Sequence, residues 1–301
     1  MKWHKLENDS DIPKFMDAAI ALLRPTLMQL CPLEKTHFYD WWLRRFNDSD
    51  SYLMTDEGRF EVIVTVPHVS DIHSYRWNAR ILLVRHDRTD PVFLPAEINL
   101  NRSFFVPNFP LPSVNETRIL QIAVGQVVQL EYGRLLDETL VETDCLPIDG
   151  ITIRRATAED YDDIMALIER AYVDLTETSA GLYTQREELQ RILEYDFGWC
   201  YVAESNRESK ARIVGMASYI TMHVPVIGVP GALVADLAVE PVMRRKGIAK
   251  SLQLFAYRQL SREGLRWLFG NIAPENESSL KQVESLGRTI WGRAVHFKQD
   301  S

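Results

Sequence analysis

Six residues, Arg244-Arg245-Lys246-Gly247-Ile248-Ala249, have the types and the order to hold a phosphate group. Ahead of them runs Leu233-Val234-Ala235-Asp236-Leu237-Ala238-Val239, an apolar stretch of strand length. It lacks the alternation of a half-exposed strand, so it reads as a strand buried on both faces. Glu240-Pro241 stops it, because proline cannot donate to a ladder and restricts the residue before it. Beyond the turn, Leu252, Phe255, Ala256 and Leu260 recur at helical spacing, and Gly264 stands where a helix ends. Strand, glycine turn and helix leave free N–H groups at a helix N-terminus, beside the cations Arg244, Arg245 and Lys246. An anion is favoured there. The plainer alternative is a solvated basic patch at an ordinary helix start.

The elements that must position this turn occupy the second half of the chain. With 301 residues, two domains are expected, each able to bury its own core. Apolar content of 46% and charged content of 25% are those of a globular protein. No apolar run reaches the length of a membrane span, and MKWHKLENDSD lacks a signal peptide's apolar region, so a cytoplasmic protein with no membrane partner is expected. Cys31, Cys145 and Cys200 share no metal-ligand spacing and fit reduced thiols. His68, His73 and His86 are irregularly spaced, and no metal is expected on them. A net charge of −8, most of it in residues 1–150, disfavours nucleic acid as a partner.

In the first half, Pro13 opens a helix whose buried face is Phe15, Met16, Ala19, Ile20, Leu22 and Leu23. Phe38, Trp41, Trp42 and Phe46 mark a second helix, packed as core rather than as a ligand platform. Phe60 to Val66 alternates like a half-exposed strand, and strands are expected at Ala79–Val84 and Pro91–Leu100. Ser113-Val114-Asn115-Glu116 has the form of a capping box that opens a helix over about 116–137. The result is a separate N-terminal α+β domain, residues 1–148, with no catalytic constellation of its own. A degenerate copy of the second half is an alternative, but no matching glycine turn occurs here. The acidic stretch Glu138–Gly150 makes the boundary.

From Ile151 the order is strand (Ile151–Arg154), helix (Ile164, Leu167, Ile168, Ala171) and a loop over 175–184. A helix through Leu189 and Ile192 follows, then strands Trp199–Ala203 and Ile213–Met222. After the central strand and its helix come a strand at Leu265–Asn271, a helix opening at Asn276 and closing at Leu286-Gly287, and a last strand at Thr289–Phe297. Arg244-x-x-Gly247-x-Ala249 after Val239-Glu240-Pro241 resembles the acetyl-CoA turn of the GCN5-related N-acetyltransferases, written Arg/Gln-x-x-Gly-x-Gly/Ala. Asn276-x-x-Ser279 resembles that family's second CoA-contacting segment. The likeness covers residues 149–301 and implies a mixed central sheet flanked by helices, an α/β fold.

The resemblance further implies acetyl-CoA as acyl donor, an amine acceptor (small molecule or protein), and direct attack in a ternary complex. Backbone groups of Leu237, Ala238 and Val239 would bind the pantetheine arm as an extra strand would. N–H groups from Arg245 to Ala249 would take the pyrophosphate, Gly247 giving close approach, with charge from Arg244, Arg245, Lys246 and Lys250. Asn276 and Ser279 would complete the donor site, Ile248 lying within the turn. A homodimer is compatible with this picture.

Acyl transfer needs a neutral amine. For a lysine-like amine this costs roughly 4.6 kcal/mol at pH 7, against about 2 kcal/mol to release an unprotonated thiolate. A base therefore matters more than an acid. The sequence departs from the family on both. Val283 stands where members often carry an acid tyrosine, and Leu233 where many carry a strand glutamate. The remaining strand carboxylate is Asp236, with a structural hydrogen bond as its other role. His223, past the third strand, is a second base, and Tyr219 and Tyr257 are acids if not core. These departures keep a second reading open, an inactive acyl-CoA-binding regulatory module.

Overall fold

The structure is a computed structural model that describes residues 2–23, 35–47, 49–67, 80–84, 98, 104–107, 125–136, 148–172, 179–194, 198–206, 211–224 and 226–297. The chain is mixed α/β and falls into two compact units. The first comprises residues 1–133, 224–229 and 271–301, the second residues 134–223 and 230–270. Each is discontinuous in sequence, whereas the reading above divides the chain once, at 148/149.

In the first unit, β1 (Lys2–Leu6), β2 (Ser49–Asp56), β3 (Arg59–Pro67) and β4 (Arg80–Val84) form an antiparallel run in that order. β5 (Phe104–Pro107) joins β4 in parallel. Two further strands, β6 (Gly125–Leu135) and β12 (Thr289–Phe297), pair antiparallel, and β12 also pairs β5. Helices α1 (Ile12–Leu22) and α2 (Lys35–Asn47) pack over β3, with Phe15 against Trp42 and Phe46. Trp41 and Trp42 are buried, as expected of core tryptophans.

Two expectations for this half are corrected. The strand expected to be half-exposed, β3, is buried on both faces, Glu61 and Thr65 included. Val62 and Val64 enter a core with Tyr52, Leu82 and Phe104, while the helices cover the other face. The polar alternation survives there because partners are supplied: Arg45 Nε donates to Thr65 Oγ1 at 2.9 Å. The second half of the expected 116–137 helix is strand β6, since GQVVQLEYGRL is rich in β-branched and aromatic residues and has β12 as a partner. The capping box at 113–116 and the strand expected at 91–100 lie outside the described residues, Ile98 excepted.

The second unit carries the mixed sheet, in the order β11-β10-β9-β8-β7. β7 is Ile151–Arg155, β8 Gly198–Ser205, β9 Arg212–His223, β10 Pro230–Val239 and β11 Trp267–Ile272. All neighbours are antiparallel except β10 and β11. Helix α3 (Tyr161–Ala171) follows a capping box at Thr157 and Asp160, the Asp160 carboxylate being held below its usual range chiefly by Arg154. Helix α4 is Ser179–Glu194, so part of the loop expected at 175–184 is helical, Gly181 being tolerated inside it. α3 and α4 bury Ile164, Leu167, Ile168, Leu189 and Ile192 against Val202, Ile213 and Met216. Helix α5 (Ile248–Arg262) lies across β8, β9 and β10. Gly215 seats it, because a Cβ there would meet Ile248 Cγ2 at 2.8 Å.

Candidate functional site

The site is built where β10 loses a neighbour. β10 and β11 pair only from Gly231↔Trp267 to Leu233↔Phe269, although β10 continues to Val239. The strand was expected to be buried on both faces throughout; Val234 to Leu237 are instead half-buried. Between Val234 and Asp236 the pairing with β9 shifts by one residue. This is a bulge, a device that bends a strand and re-aims its side chains. Past it, the Asp236 N–H donates to Ser218 Oγ (3.1 Å) and the Glu240 N–H to Val214 O (2.9 Å), both on β9. Strand alternation then turns the backbone groups of Leu237 and Val239 to the opposite edge.

Both edge carbonyls have side-chain donors. The Tyr172 hydroxyl lies 3.2 Å from Leu237 O, and Arg244 Nε donates to Val239 O at 3.3 Å. Arg244 also donates through Nη2 to Ala171 O at 2.6 Å, capping the C-terminal end of α3. Its guanidinium thus fastens the turn to two elements. Beneath it, buried Glu240 accepts from Arg170 (3.0 Å) and Arg212 (3.1 Å).

The turn itself has two left-handed residues, Arg245 (φ 64°) and Gly247 (φ 85°). The first is uncommon for a side-chain-bearing residue, and the second is what glycine supplies freely. Among the described residues, a Cβ at Gly247 would meet only Ile148 Cδ1, at 3.8 Å, so none of them crowds the turn. The first helical bond runs from Ser251 N–H to Gly247 O, leaving the N–H groups of Ile248, Ala249 and Lys250 ahead of it. Arg245, Lys246 and Lys250 are exposed around them. Backbone donors and cations fit a pyrophosphate.

Asp236 sits at the other end of the same stretch. Burial of its carboxyl, with the negative charge of Glu188 on α4, pushes its pKa up to about 7, while the hydrogen bond from Tyr172 (3.3 Å) opposes the rise. Burial and the neighbouring Asp236 push the Tyr172 hydroxyl up. A carboxyl that titrates near neutrality beside an open strand edge can take a proton from an amine.

The two sequence-named bases are not together. His223 ends β9 opposite Pro230, six positions along β10 from Asp236, which at strand rise is about 20 Å. Tyr219 and Tyr257 are fully buried, Tyr219 edge-on to the buried Tyr201, and are core. Leu233 is buried. Asn276 and Ser279 belong to the first unit, where the Asn276 side chain caps α6 (Glu277–Ser285) by accepting from the Ser279 N–H at 3.1 Å. Val283 is buried in that unit against Tyr132, whose hydroxyl lies 3.5 Å from Glu284 Oε1. Among the described residues no group of three or more His, Cys, Asp or Glu could hold a metal, and no helix is long and apolar enough to cross a membrane.

Sequence reasoning missed Tyr172, Glu188 and Ser218. For Tyr172 a signal existed: it extends the Ile164, Ile168 face of α3 by one more turn. Glu188 and Ser218 carry none, since only the packing brings them to Asp236.

Residues 152–271 match the family model of the acetyltransferase (GNAT) domain. The matched stretch holds the β10 strand and the glycine turn and lies in the C-terminal half. No curated relative matches the chain. Among solved structures, a Drosophila protein shares 14% identity over 99% of both chains at a TM-score of 0.50, a likeness of fold alone. An aminoglycoside N-acetyltransferase solved with CoA shares 22% identity over 50% of this chain and 95% of its own, at a TM-score of 0.40. An aminoglycoside 6′-N-acetyltransferase from Acinetobacter baumannii shares 19% over 50% and 99%, at 0.41. At those scores neither carries an argument about chemistry.

Proposed function

We propose that the protein is an acyl-CoA-dependent N-acyltransferase that moves an acetyl group from acetyl-CoA to an amine by direct attack in a ternary complex. The observation that supports it is the combination, on one strand, of an open edge at Leu237 and Val239 with a left-handed glycine turn at Gly247. The N–H groups from Arg245 to Ala249 would hold the pyrophosphate, with Arg245, Lys246 and Lys250 adding charge. The edge groups of Leu237 and Val239 would hold the pantetheine arm, Ala238 pointing its own to β9. Acetyl-CoA supplies an activated thioester when bound. Arg244 enters this proposal as the fastening of the turn rather than as a phosphate ligand, because among the described residues its guanidinium donates to two backbone carbonyls.

Asp236 is the base of this proposal and takes the amine's proton through its carboxylate, directly or across one water. His223 ranks second, as an exposed residue about 20 Å away along the strand that would act at the acceptor's far end. Asn276 and Ser279 are kept as proposed CoA contacts on the resemblance of their motif alone, and the N-terminal half is assigned to acceptor recognition or assembly. The acceptor is a small amine or a protein amine.

A second reading, an acyl-CoA-binding regulatory module without turnover, is favoured by one observation. Leu233 and Val283, where the family's catalytic side chains would stand, are both buried in apolar packing. Release of free thiol from acetyl-CoA, measured across a panel of amines, separates the two. Amine-dependent thiol release supports the enzyme. CoA binding without release on any amine supports the module, and no CoA binding overturns both.

A further inference from the structure

Glu240 stands between the two parts of the proposed donor site. Ahead of it, β10 ends at Val239, the last residue of the open edge. Behind it, one 3-10 turn, Pro241–Met243, leads to Arg244 and the glycine turn. This link is short and braced by its own backbone. Pro241 fixes φ at its first position, the Met243 N–H donates to Glu240 O at 2.8 Å, and the Arg244 N–H donates to Pro241 O at 3.3 Å. Where Glu240 is held, the start of the glycine turn is held with it.

The hold is a side-chain one. Glu240 Oε2 accepts from Arg170 Nε at 3.0 Å and from Arg212 Nη2 at 3.1 Å, and Arg170 Nη2 lies 3.0 Å from the same oxygen. Arg170 is in the last turn of α3, and Arg212 is the first residue of β9. One carboxylate therefore ties the end of β10 to a helix as well as to a strand. The Glu240 side chain is only 9% exposed, so water cannot stand in for a lost guanidinium as it can around exposed Arg244. Nor does the sheet do this work. The pairing with β9 ends at Val239↔Gly215, followed only by the Glu240 N–H to Val214 O, and among the described residues no strand pairing positions the turn beyond it.

Resting on the CoA-binding reading above, we infer that Glu240 is a positioning residue, held chiefly by Arg170, that sets the spacing between the pantetheine edge and the pyrophosphate turn. The residues from Arg244 to Ala249 give the turn its own shape. Glu240 fixes where that shape lies relative to Leu237 and Val239. A donor with both an amide arm and a pyrophosphate must meet both parts at once. Its affinity depends on a turn already in place, because a turn that the ligand must first order weakens binding by the cost of ordering it. A ligand that ends at the pantetheine hydroxyl uses the edge alone and is indifferent to the turn. Glu240 thus favours the full CoA over its shorter arm without touching a phosphate.

The test is binding of CoA and of pantetheine to the full chain, CoA by calorimetry and pantetheine by its displacement of CoA, with melting curves on every variant. Arg170→Met removes the hold of α3 and leaves Arg212 on the carboxylate. Glu240→Gln keeps the shape and removes the charge. In both, CoA affinity is expected to fall by about tenfold, within the roughly 10²-fold that one hydrogen bond to a charged group is worth. Pantetheine affinity is expected to stay as in wild type. The double variant should bind CoA no more weakly than Glu240→Gln alone, because both changes break one contact. Arg186→Met breaks the neighbouring ion pair with Glu169 of α3, at 2.6 Å, and should leave CoA affinity alone. If Glu240→Gln does not fold, Arg170→Met decides by itself, its arginine being only half-buried. Wild-type CoA affinity in folded Arg170→Met, or an equal loss for both ligands, overturns the inference and leaves the CoA-binding reading standing. Failure of wild type to bind CoA removes that reading and this inference with it.

Discussion

Two ends of one strand make opposite uses of the chain. At the C-terminal end of β10, the turn from Arg244 to Ala249 would, on the proposed reading, work through backbone: a left-handed glycine and the N–H groups of a helix start. A few positions upstream, the proposed base Asp236 would work through a side chain whose charge is set by burial, then by Glu188 and Tyr172, residues far away in sequence. Backbone chemistry is local, so six consecutive residues are enough to specify it. Protonation chemistry is tertiary, because desolvation and neighbouring charge come from other elements. The first should survive surface substitution and fail on change at one glycine; the second should fail when any of several packed neighbours changes.

The largest expected effect is at the side-chain end. Asp236→Asn keeps the shape of the residue and removes its basicity, so kcat should fall by about 10²–10⁴ while CoA affinity changes by less than about tenfold. In wild type the rate should rise with pH through about 7, as Asp236 gives up its proton. Measuring kcat and CoA affinity against pH for both proteins checks this. Equal rates would eliminate Asp236 and turn attention to His223 or a water relay.

At the backbone end, Gly247→Asp places a carboxylate over the N–H groups that face the ligand. CoA affinity should drop by about 10²–10³, as expected where like charges are forced together. The melting transition should move little, since among the described residues a Cβ there meets nothing closer than 3.8 Å and the left-handed backbone costs about 1 kcal/mol. Unchanged affinity in a calorimetric titration would sink the assignment of the turn.

The same contrast explains what the sequence could disclose. The turn, the helix behind it and the order of strands from Ile151 onward were legible, because apolar period, proline and glycine punctuate them. Strand β6 was not: its residues follow a capping-box pattern upstream, and only the pairing with β12 decides for strand. The burial of Glu61 and Thr65 was hidden for a like reason, since alternation reports polarity and not which polar residues find partners inside. The exposure of β10 beyond Leu233 depends on where β11 leaves it, which no local pattern states. Arg244 was read as a phosphate ligand from its place in the motif; its contacts with Ala171 and Val239 are visible only in three dimensions.

Stability against pH gives a smaller effect with a definite sign. The pKa of Asp236 is raised in the folded state, from an ordinary 3.8 to about 7. The folded protein therefore binds the proton more tightly than the unfolded chain, and this contribution is present below about pH 4 and lost as pH rises through about 7. Above that, the ionised buried carboxyl opposes folding. Asp236→Asn should then be the more stable protein at pH 8, by about 2–4 kcal/mol, with the gap closing towards pH 4. A variant less stable than wild type at alkaline pH would mean that the carboxylate is needed to hold the structure.

The smallest effect separates the cations within the turn. Arg244 donates to Val239 O and Ala171 O, so Arg244→Ala leaves two carbonyls without that donor and frees the turn from α3. The residue is exposed, water can replace part of what is lost, and the cost to stability should be about 1 kcal/mol. Arg245 and Lys246 are also exposed, and Lys246 Nζ lies 3.3 Å from the Met243 sulfur. Replacing either with Ala should leave melting unchanged and weaken CoA by about two- to fivefold, the worth of one screened ion pair. The two classes of variant should therefore cross: Arg244 moves stability more than affinity, Arg245 and Lys246 move affinity alone. Raising salt sharpens the contrast, because it erodes the affinity effect of the exposed cations and leaves the hydrogen bonds of Arg244 in place. Melting curves and CoA titrations on all three variants at low and high salt decide it. If Arg244→Ala lowers affinity as much as the others and leaves melting untouched, its guanidinium belongs with the phosphate ligands, and the division between backbone and side-chain ends runs one residue further along the chain.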